Sequence, residues 1–506
     1  MKDHWSPITL LVVIPGATVL IFTLINIIYR LYFHPLKKVP GPVWSAASSL
    51  PSFYHNFIRK GQWYREVARL HENYGPIVRI GPNEIHLSRP EHYETVYGNT
   101  SSFYKDPGFY AIMGMEEAMF CTIPNDLHRQ RRSPLNPFFS RKAIVDSEFI
   151  VHDKAERLCR RISKAAREKQ PVNLTRGFRA LSVDVVTDYS FNRTMGLLED
   201  ENFGAWFTDM LREAGPMFWI FQQFPIFATL LQSLPPSLAK RLSASFEAFD
   251  KLLSTTKAQV TVLKQDMAAG VKPPRQTIFH ALLEADAETG RAVRSTQNLA
   301  DESMSLTSAA ADSTGNAMAY AVFSVLSDSE IHKRVLDELR QNFPDDVSQM
   351  DMTSLEKLPY FMGVIKEAQR LSYGVIGRLP RIVPKGGAVF EGHYLPPKTV
   401  VSMSTWTMHN NVDAFPEAEK FNPSRWQDPN GAQLREKCFV PFSKGRRMCL
   451  GHILAVCELT CTVAMVLRRF EHMKIFQTTA DDLVYEDYVG AVHPLEANPF
   501  MVMVNE

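Results

Sequence analysis

The decapeptide Phe442-Ser-Lys-Gly445-Arg-Arg447-Met-Cys449-Leu-Gly451 constrains this chain more than any other stretch. The spacing Phe-x-x-Gly-x-Arg-x-Cys-x-Gly fixes five residue types in ten positions. A random chain of this length matches it with a chance on the order of one in several thousand. A run from Gly451 to Phe470 that reads as helix follows directly. A cysteine just before a helix N-terminus feels the positive end of the macrodipole, and nearby arginine adds to it, so thiolate is favoured over thiol. Glycines on both sides let the backbone turn sharply and approach a flat group closely. An isolated cysteine would read as a buried structural residue, since free Cys is among the most buried types. Within this pattern the reactive reading leads.

A thiolate held in this way can ligate haem iron axially and push electron density toward O–O cleavage. The decapeptide resembles the haem-binding loop of the cytochrome P450 family, the haem-thiolate monooxygenases. The resemblance implies haem b (iron protoporphyrin IX) as cofactor, Cys449 as the iron ligand, and Phe442, Gly445 and Arg447 as cofactor-binding positions.

The bulk numbers fit one large unit. The chain has 506 residues, 45% hydrophobic and 22% charged, with a formal net charge of +2. That is ordinary globular composition, and the near-neutral balance argues against nucleic acid as a partner. The 32 prolines are spread along the chain, with no linker-like stretch and no internal repeat. The cysteines at 121, 159, 438, 449, 457 and 461 form no C-x-x-C pair, which suits a reducing compartment. Cys457 and Cys461 are one helical turn apart; with no His or Cys at metal spacing they read as core residues. The sequons at Asn99, Asn173 and Asn192 stay bare if the body is cytosolic.

From His4 to Tyr29 there is no Asp, Glu, Lys or Arg, and Ile8 to Ile28 is almost wholly apolar. Twenty-odd helical residues span roughly 30 Å, a bilayer core. A cleaved signal peptide would have a shorter apolar region, about 7–15 residues. Basic residues after the span (Arg30, Lys37, Lys38) and only Lys2 before it place the C-terminal side in the cytosol. Residues 1–30 are therefore expected to be a transmembrane anchor and 31–45 a basic, proline-rich hinge, with Val39-Pro-Gly-Pro42 as its stiff part. Residues 46–506 are expected to form the catalytic domain. The resemblance implies an endoplasmic reticulum membrane protein with a cytosolic body.

In the body, Tyr74 to Ile80 and Glu84 to Ser88 read as a β-hairpin around Gly81-Pro82. Residues 140–170 are charged and helical. Phe218-Trp-Ile-Phe221 and Phe224-Pro-Ile-Phe227 read either as core or as a membrane-dipping loop that roofs a substrate access. Leu299 to Leu326 and Leu355 to Leu371 are long helical stretches, followed by short strand-like pieces at Arg381, Ala388 and Val400. The fold class is mainly α, an α-rich α+β layout with small β-sheets; the resemblance implies the P450 fold.

Three further constellations carry chemistry. Glu367 and Arg370 are at i and i+3, so they share a helix face. Phe421-Asn-Pro-Ser-Arg425-Trp426 resembles the segment that adds a third charged partner, so Arg425 is expected to close a buried triad behind the haem loop. Ala309-Ala-Ala-Asp312-Ser313-Thr314 lies mid-helix. Small residues leave room for dioxygen and substrate, and an acid followed by a hydroxyl can relay protons. The stretch resembles the family's oxygen-binding segment, with Ala310 in place of the usual glycine and Ser313 in place of the usual threonine; Thr314 could share the role. A packing face is the alternative. His128 and Arg132 match positions that reach the haem propionates, as do Arg381 and Arg447 by resemblance; a solvated basic face is the alternative for His128 to Arg132. Lys437, Lys444 and Arg446 are expected on the proximal surface, where they could steer an acidic electron donor.

No G-x-G-x-x-G follows a strand, so the resemblance implies electrons from a separate NADPH-cytochrome P450 reductase. Phe33-His-Pro-Leu36, Tyr74-Gly-Pro-Ile-Val-Arg79 and Pro137-Phe-Phe-Ser140 look like fungal secondary-metabolism members of the trichodiene-oxygenase type. That implies a lipophilic terpenoid or polyketide substrate, met by Phe109 to Phe120, Phe218 to Phe227, Ser305 to Ala310 and Val375 to Gly377. A haem-thiolate enzyme that rearranges peroxides, and a haem carrier or sensor, are the competing readings; neither needs both the acid–hydroxyl pair and a basic proximal patch.

Overall fold

A computed structural model describes residues 7–232, 244–284, 294–344 and 350–504. Lys2 and the last two residues of the expected catalytic domain lie outside the described residues. Helix α1 (Pro7–Ile28) takes up the apolar run, and Pro15 does not end it. From Val13 onward most of its large side chains stand in the open; Phe22 is 68% exposed. The polar side chains of Thr18, Thr23 and Asn26 donate back to the carbonyls of Ile14, Val19 and Phe22. A helix in lipid must satisfy its polar atoms internally, and these three do so. Among the described residues it is the one helix long and apolar enough to cross a membrane.

The proline-rich segment after it is fastened to the body. Leu36 is fully buried. The Arg79 N–H donates to Pro40 O at 2.7 Å, and the Arg79 guanidinium to Arg30 O at 3.1 Å. A Cβ on Gly41 would stand 2.5 Å from Arg79 O, so only glycine lets the strap lie this close. The stiffness comes from these contacts as much as from proline.

The hairpin forms as expected from β1 (Ile77–Gly81) and β2 (Glu84–Leu87). With β3 (Tyr104–Lys105), β4 (Arg381–Ile382) and β5 (Val400–Ser402) they make a mixed sheet of order β1-β2-β5-β4-β3. Only β2 and β5 pair parallel. In the antiparallel β3–β4 pair, Lys105 stands opposite Arg381.

Among the described residues three smaller sheets, one of three strands and two of two, accompany the helices that make most of the rest. In chain order the ones that build the site are α2 (Asn125–Arg132), α3 (Glu148–Arg167), α4 (Leu174–Phe191), α5 (Ala205–Gln223), α6 (Ala244–Ala268), α7 (Thr296–Ser327), α8 (Pro359–Ser372) and α9 (His452–Arg469). Helix α7 begins where Ser295 Oγ accepts the Asn298 N–H at 3.0 Å and runs 32 residues. That is about 48 Å at 1.5 Å per residue. It packs on α4, α6, α8 and α9 and is buried nearly all round. Gly315 permits the closest approach: a Cβ there would stand 2.7 Å from Arg179 Cγ on α4.

The aromatic segment divides between the two readings. Phe218 to Phe221 belong to α5, not to a loop. Trp219 is buried and donates to Asp487 O at 2.7 Å. After α5 ends, Phe224, Ile226, Phe227 and Leu230 are exposed. Phe224 meets Phe53 at 5.4 Å, beside the exposed Val43, Trp44, Leu50 and Ile58 that follow the N-terminal strap.

Candidate active site

Cys449 is the exposed cysteine; the other five are buried. Its N–H donates to Phe442 O at 2.9 Å, closing the loop just before α9. The residue keeps solvent-accessible surface, yet the protein packed around the thiol desolvates it. Burial raises its pKa; the Gly451 N–H and the Arg132 charge pull it down and do not outweigh burial. The helix terminus and arginine expected from the sequence are both present. By themselves they do not make a thiolate, because desolvation acts against them. A bound metal cation would tip the balance.

Gly445 makes the sharp turn expected of it. It sits at φ +69°, and a Cβ would meet Tyr97 O at 2.2 Å and Gly98 C at 2.4 Å. Its backbone also locks the loop onto the chain after β2. Gly451 has φ −84° and ordinary space around it, so no close approach explains it. Phe442 is half-buried, with its ring 6.0 Å from His452.

Next to the loop, basic side chains converge. Arg132 Nη1 donates to Met448 O at 2.7 Å. Arg447 spreads its guanidinium over Thr122 O, Ile123 O and Asn125 Oδ1 at 2.7, 2.8 and 2.9 Å. Arg381 Nη1 donates to Tyr110 Oη at 2.9 Å. His128 and Lys105 are buried beside them. Burial, then Arg447, Lys105, Arg132 and Arg381, push His128 down to about 2, so it is neutral. Burial, then Arg381 and Arg447, hold Lys105 well below the ordinary lysine range. Arg447 falls to about 10, by burial and then Arg381. Among the described residues no Asp or Glu forms an ion pair with any of the five.

Five basic groups facing one another without a carboxylate is costly unless an anion joins them. The two propionates of haem b have the charge and donor needs that fit. Sequence reasoning reached His128, Arg132, Arg381 and Arg447. It missed Lys105, whose only signal was a lysine in a strand-like stretch otherwise bound for the interior.

The expected triad is present in full. Arg370 donates from Nε and Nη2 to both oxygens of Glu367, at 2.9 and 2.8 Å. Arg425 Nε reaches Glu367 Oε1 at 2.9 Å, and Trp426 Nε1 reaches Oε2 at 3.0 Å. Glu367 and Arg370 are fully buried. His409, unremarked in the sequence, extends the network to the loop. It meets Arg370 O through Nδ1 at 2.7 Å and accepts the Val440 N–H at Nε2, 3.0 Å. Val440 lies two residues before Phe442.

On α7 the acid and the hydroxyls separate. Asp312 Oδ1 lies 2.8 Å from Arg179 Nε. Arg179 Nη2 donates to Asn316 Oδ1 at 2.8 Å. Arg179 also floors a cleft of about 210 Å³ lined by Arg176, Asp209, Arg212 and His493, among others. Ser313 and Ala309 are the exposed positions of this otherwise buried stretch, and Ser313 Oγ donates to Ala309 O at 2.8 Å. Thr314 is buried. Ser313 is thus the accessible hydroxyl. The helix is unbroken at Ala310.

Two of the four expected substrate segments, 109–120 and 218–227, meet in an aromatic cluster, and 305–310 and 375–377 contribute nothing to it. Phe109, Tyr110 and Trp219 are buried together, with Phe120, Ile123, Phe218, Tyr488 and Val489 packed on them. Tyr488 and Val489 were not anticipated, because nothing in their local sequence marks them.

Comparison with known proteins agrees. Residues 40–494 match the family profile described as Cytochrome P450. The chain is 35% identical to Cytochrome P450 monooxygenase MO6277 of Ascocoryne sarcoides, over 94% of this chain and 95% of that protein. It is 33% identical to N-acetyltryptophan 6-hydroxylase ivoC of Emericella nidulans, over 92% of each. It is 29% identical to Cytochrome P450 monooxygenase TRI4 of Fusarium sporotrichioides, over 94% of this chain and 91% of that protein.

Proposed function

The chain belongs to the cytochrome P450 family and is a haem-dependent monooxygenase, and we propose that it hydroxylates or epoxidises a lipophilic small molecule, a terpenoid or polyketide intermediate of a fungal secondary-metabolite pathway. The observation that carries this reading is the buried aromatic wall of Phe109, Tyr110 and Trp219. Apolar, aromatic linings suit lipophilic ligands held by few polar contacts. The relatives' names support the same kind of pathway: N-acetyltryptophan 6-hydroxylase is itself a hydroxylase of an aromatic small molecule.

Bound haem, with Cys449 as its sulfur ligand, supplies the chemistry of dioxygen reduction and oxygen-atom transfer. Arg132, Arg381, Arg447 and Lys105 hold its carboxylates, and His128 packs beside them as a neutral imidazole. Ser313 Oγ presents a proton to the reaction chamber. Asp312, held by Arg179 at the end of the polar cleft, takes up protons there and passes them on through water. Gly315 leaves the room that Arg179 needs. Glu367, Arg370, Arg425 and His409 fix the loop that carries Cys449.

Residues 1–30 anchor the protein in the endoplasmic reticulum membrane, and the exposed side chains at 226 and 227 rest the cytosolic body against it. Electrons come from NADPH through a separate diflavin reductase, steered by Lys437, Lys444 and Arg446. The test is turnover of candidate terpenoids and polyketides in vesicles with that reductase under isotopically labelled dioxygen. One labelled oxygen atom in the product, dependent on reductase, supports the reading. Turnover from NADPH without reductase, or product free of label, refutes it.

A further inference from the structure

Helices α3 and α9 share a seam, and each brings two potential metal ligands to it. Glu148 and His152 stand at i and i+4 on α3; Cys457 and Cys461 stand at i and i+4 on α9. Residues four apart on a helix lie on one face. The seam therefore gathers a carboxylate, an imidazole and two thiols.

Their spacing resembles a coordination shell. Cys461 Sγ lies 3.0 Å from Glu148 Oε1, and His152 Nε2 lies 3.3 Å from the same oxygen. The ligand atoms of these three residues are all within 4.8 Å of one another. Cys457 lies one turn before Cys461 on α9 and is not one of the three. Zinc bonds of about 2.0–2.3 Å set tetrahedral neighbours roughly 3.3–3.8 Å apart. The group is also braced from outside: the Met352 N–H donates to Glu148 Oε1 at 2.6 Å. Glu148 and both cysteines are buried, whereas the His152 side chain is 23% exposed and gives an ion a way in.

We propose that this seam is a zinc site, with His152 Nε2, Glu148 Oε1 and Cys461 Sγ as its three protein ligands and water completing the shell. The Cys461 thiol proton passes to solvent as the Zn–S bond forms. Thiolate and imidazole select a soft to borderline cation over Mg²⁺ or Ca²⁺. The site is separate from the haem ligand. Cys461 lies nine residues into α9, roughly 14 Å along its axis from the end that carries the Cys449 loop. Zinc here would clamp α9 to α3 and so brace the helix on which that loop is mounted.

The test uses the full-length, haem-loaded protein, stripped with chelator, given one equivalent of ZnCl2 and desalted. Zinc is counted against haem iron by mass spectrometry, and its shell is read by X-ray absorption at the zinc edge. The expected result is about one zinc per haem with one sulfur neighbour at about 2.3 Å. His152→Gln, a partly exposed position, should keep its haem and weaken zinc binding at least tenfold; Cys461→Ser should lose the sulfur signal. The proposal is overturned if wild type retains less than a tenth of an equivalent. It is equally overturned if both variants bind as wild type does, or if the zinc shell contains no sulfur.

Discussion

Two buried charge clusters flank the Cys449 loop, and they are built on opposite plans. Around Glu367 every partner is supplied by the chain: Arg370 and Arg425 neutralise the carboxylate, Trp426 fills its remaining lone pair, and His409 carries the network to Val440. Around Lys105 the chain supplies only cations and neutral carbonyl, amide and hydroxyl partners. The first cluster holds the fold; the second is completed by something the fold binds. Buried charge is kept where it is paired, so a cluster left open marks a binding site.

Breaking the closed cluster gives the largest effect. Arg370→Ala leaves Glu367 buried with half its pairing gone, costing about 3–5 kcal/mol. Haem incorporation should collapse and thermal unfolding should shift well down. Normal haem content in the variant would mean that the triad does not brace the loop.

The Arg179–Asp312 pair lies between the two plans, closed on one side and open to a cleft on the other. Asp312→Asn should keep haem and slow turnover roughly 10²-fold, with a changed solvent isotope effect. Unchanged turnover would clear Asp312 of proton relay.

For the open cluster the sign depends on its ligand. Lys105→Met removes a buried cation from among cations, so the haem-free protein should gain about 1–3 kcal/mol of stability. The same variant should release haem faster to an acceptor protein. A variant that loses stability without haem would show that Lys105 is paired in a way that needs no anion.

His409 gives the closed cluster a pH signature. Burial, with the Arg370 charge against it, lowers its pKa to about 3, while the Arg370 carbonyl works the other way. Folded His409 is neutral where the unfolded residue takes a proton at about 6.5. Its contribution is therefore complete above that pH and is lost as pH falls toward 3, by about 1.4 kcal/mol per pH unit. Urea unfolding at pH 7 and pH 5 should show this slope, and His409→Gln should reduce it by one proton.

The last effect is at the surface and touches binding alone. Ile226 and Phe227 are 67% and 50% exposed. Ile226→Asp in protein lacking residues 1–30 should weaken vesicle binding by about 1.5–3 kcal/mol and leave folding intact. Unchanged binding would detach this edge from the membrane.

The sequence made the loop, the triad and the N-terminal apolar helix legible because each is written in residue types at short range. Glu367 and Arg370 share a face by arithmetic, and the absence of charge from His4 to Tyr29 speaks for itself. What stayed hidden depends on long-range packing. Lys105 acquires meaning only when β3 sets it opposite Arg381. Cys461 reads as plain core until α3 brings Glu148 and His152 to it. Gly445 suggested a sharp turn and a close approach, and the backbone at Tyr97 and Gly98 also requires it. Phe218 to Phe227 read as one aromatic unit, and the end of α5 at Gln223 splits it into a buried and an exposed half.

The most direct measurement is the absorption spectrum of the reduced, carbon-monoxide-bound protein, taken for wild type and Cys449→Ala. The account predicts a long-wavelength Soret band in wild type that is lost in the variant. Folded, haem-loaded wild type without that band, or a variant that keeps it, would contradict thiolate ligation at Cys449.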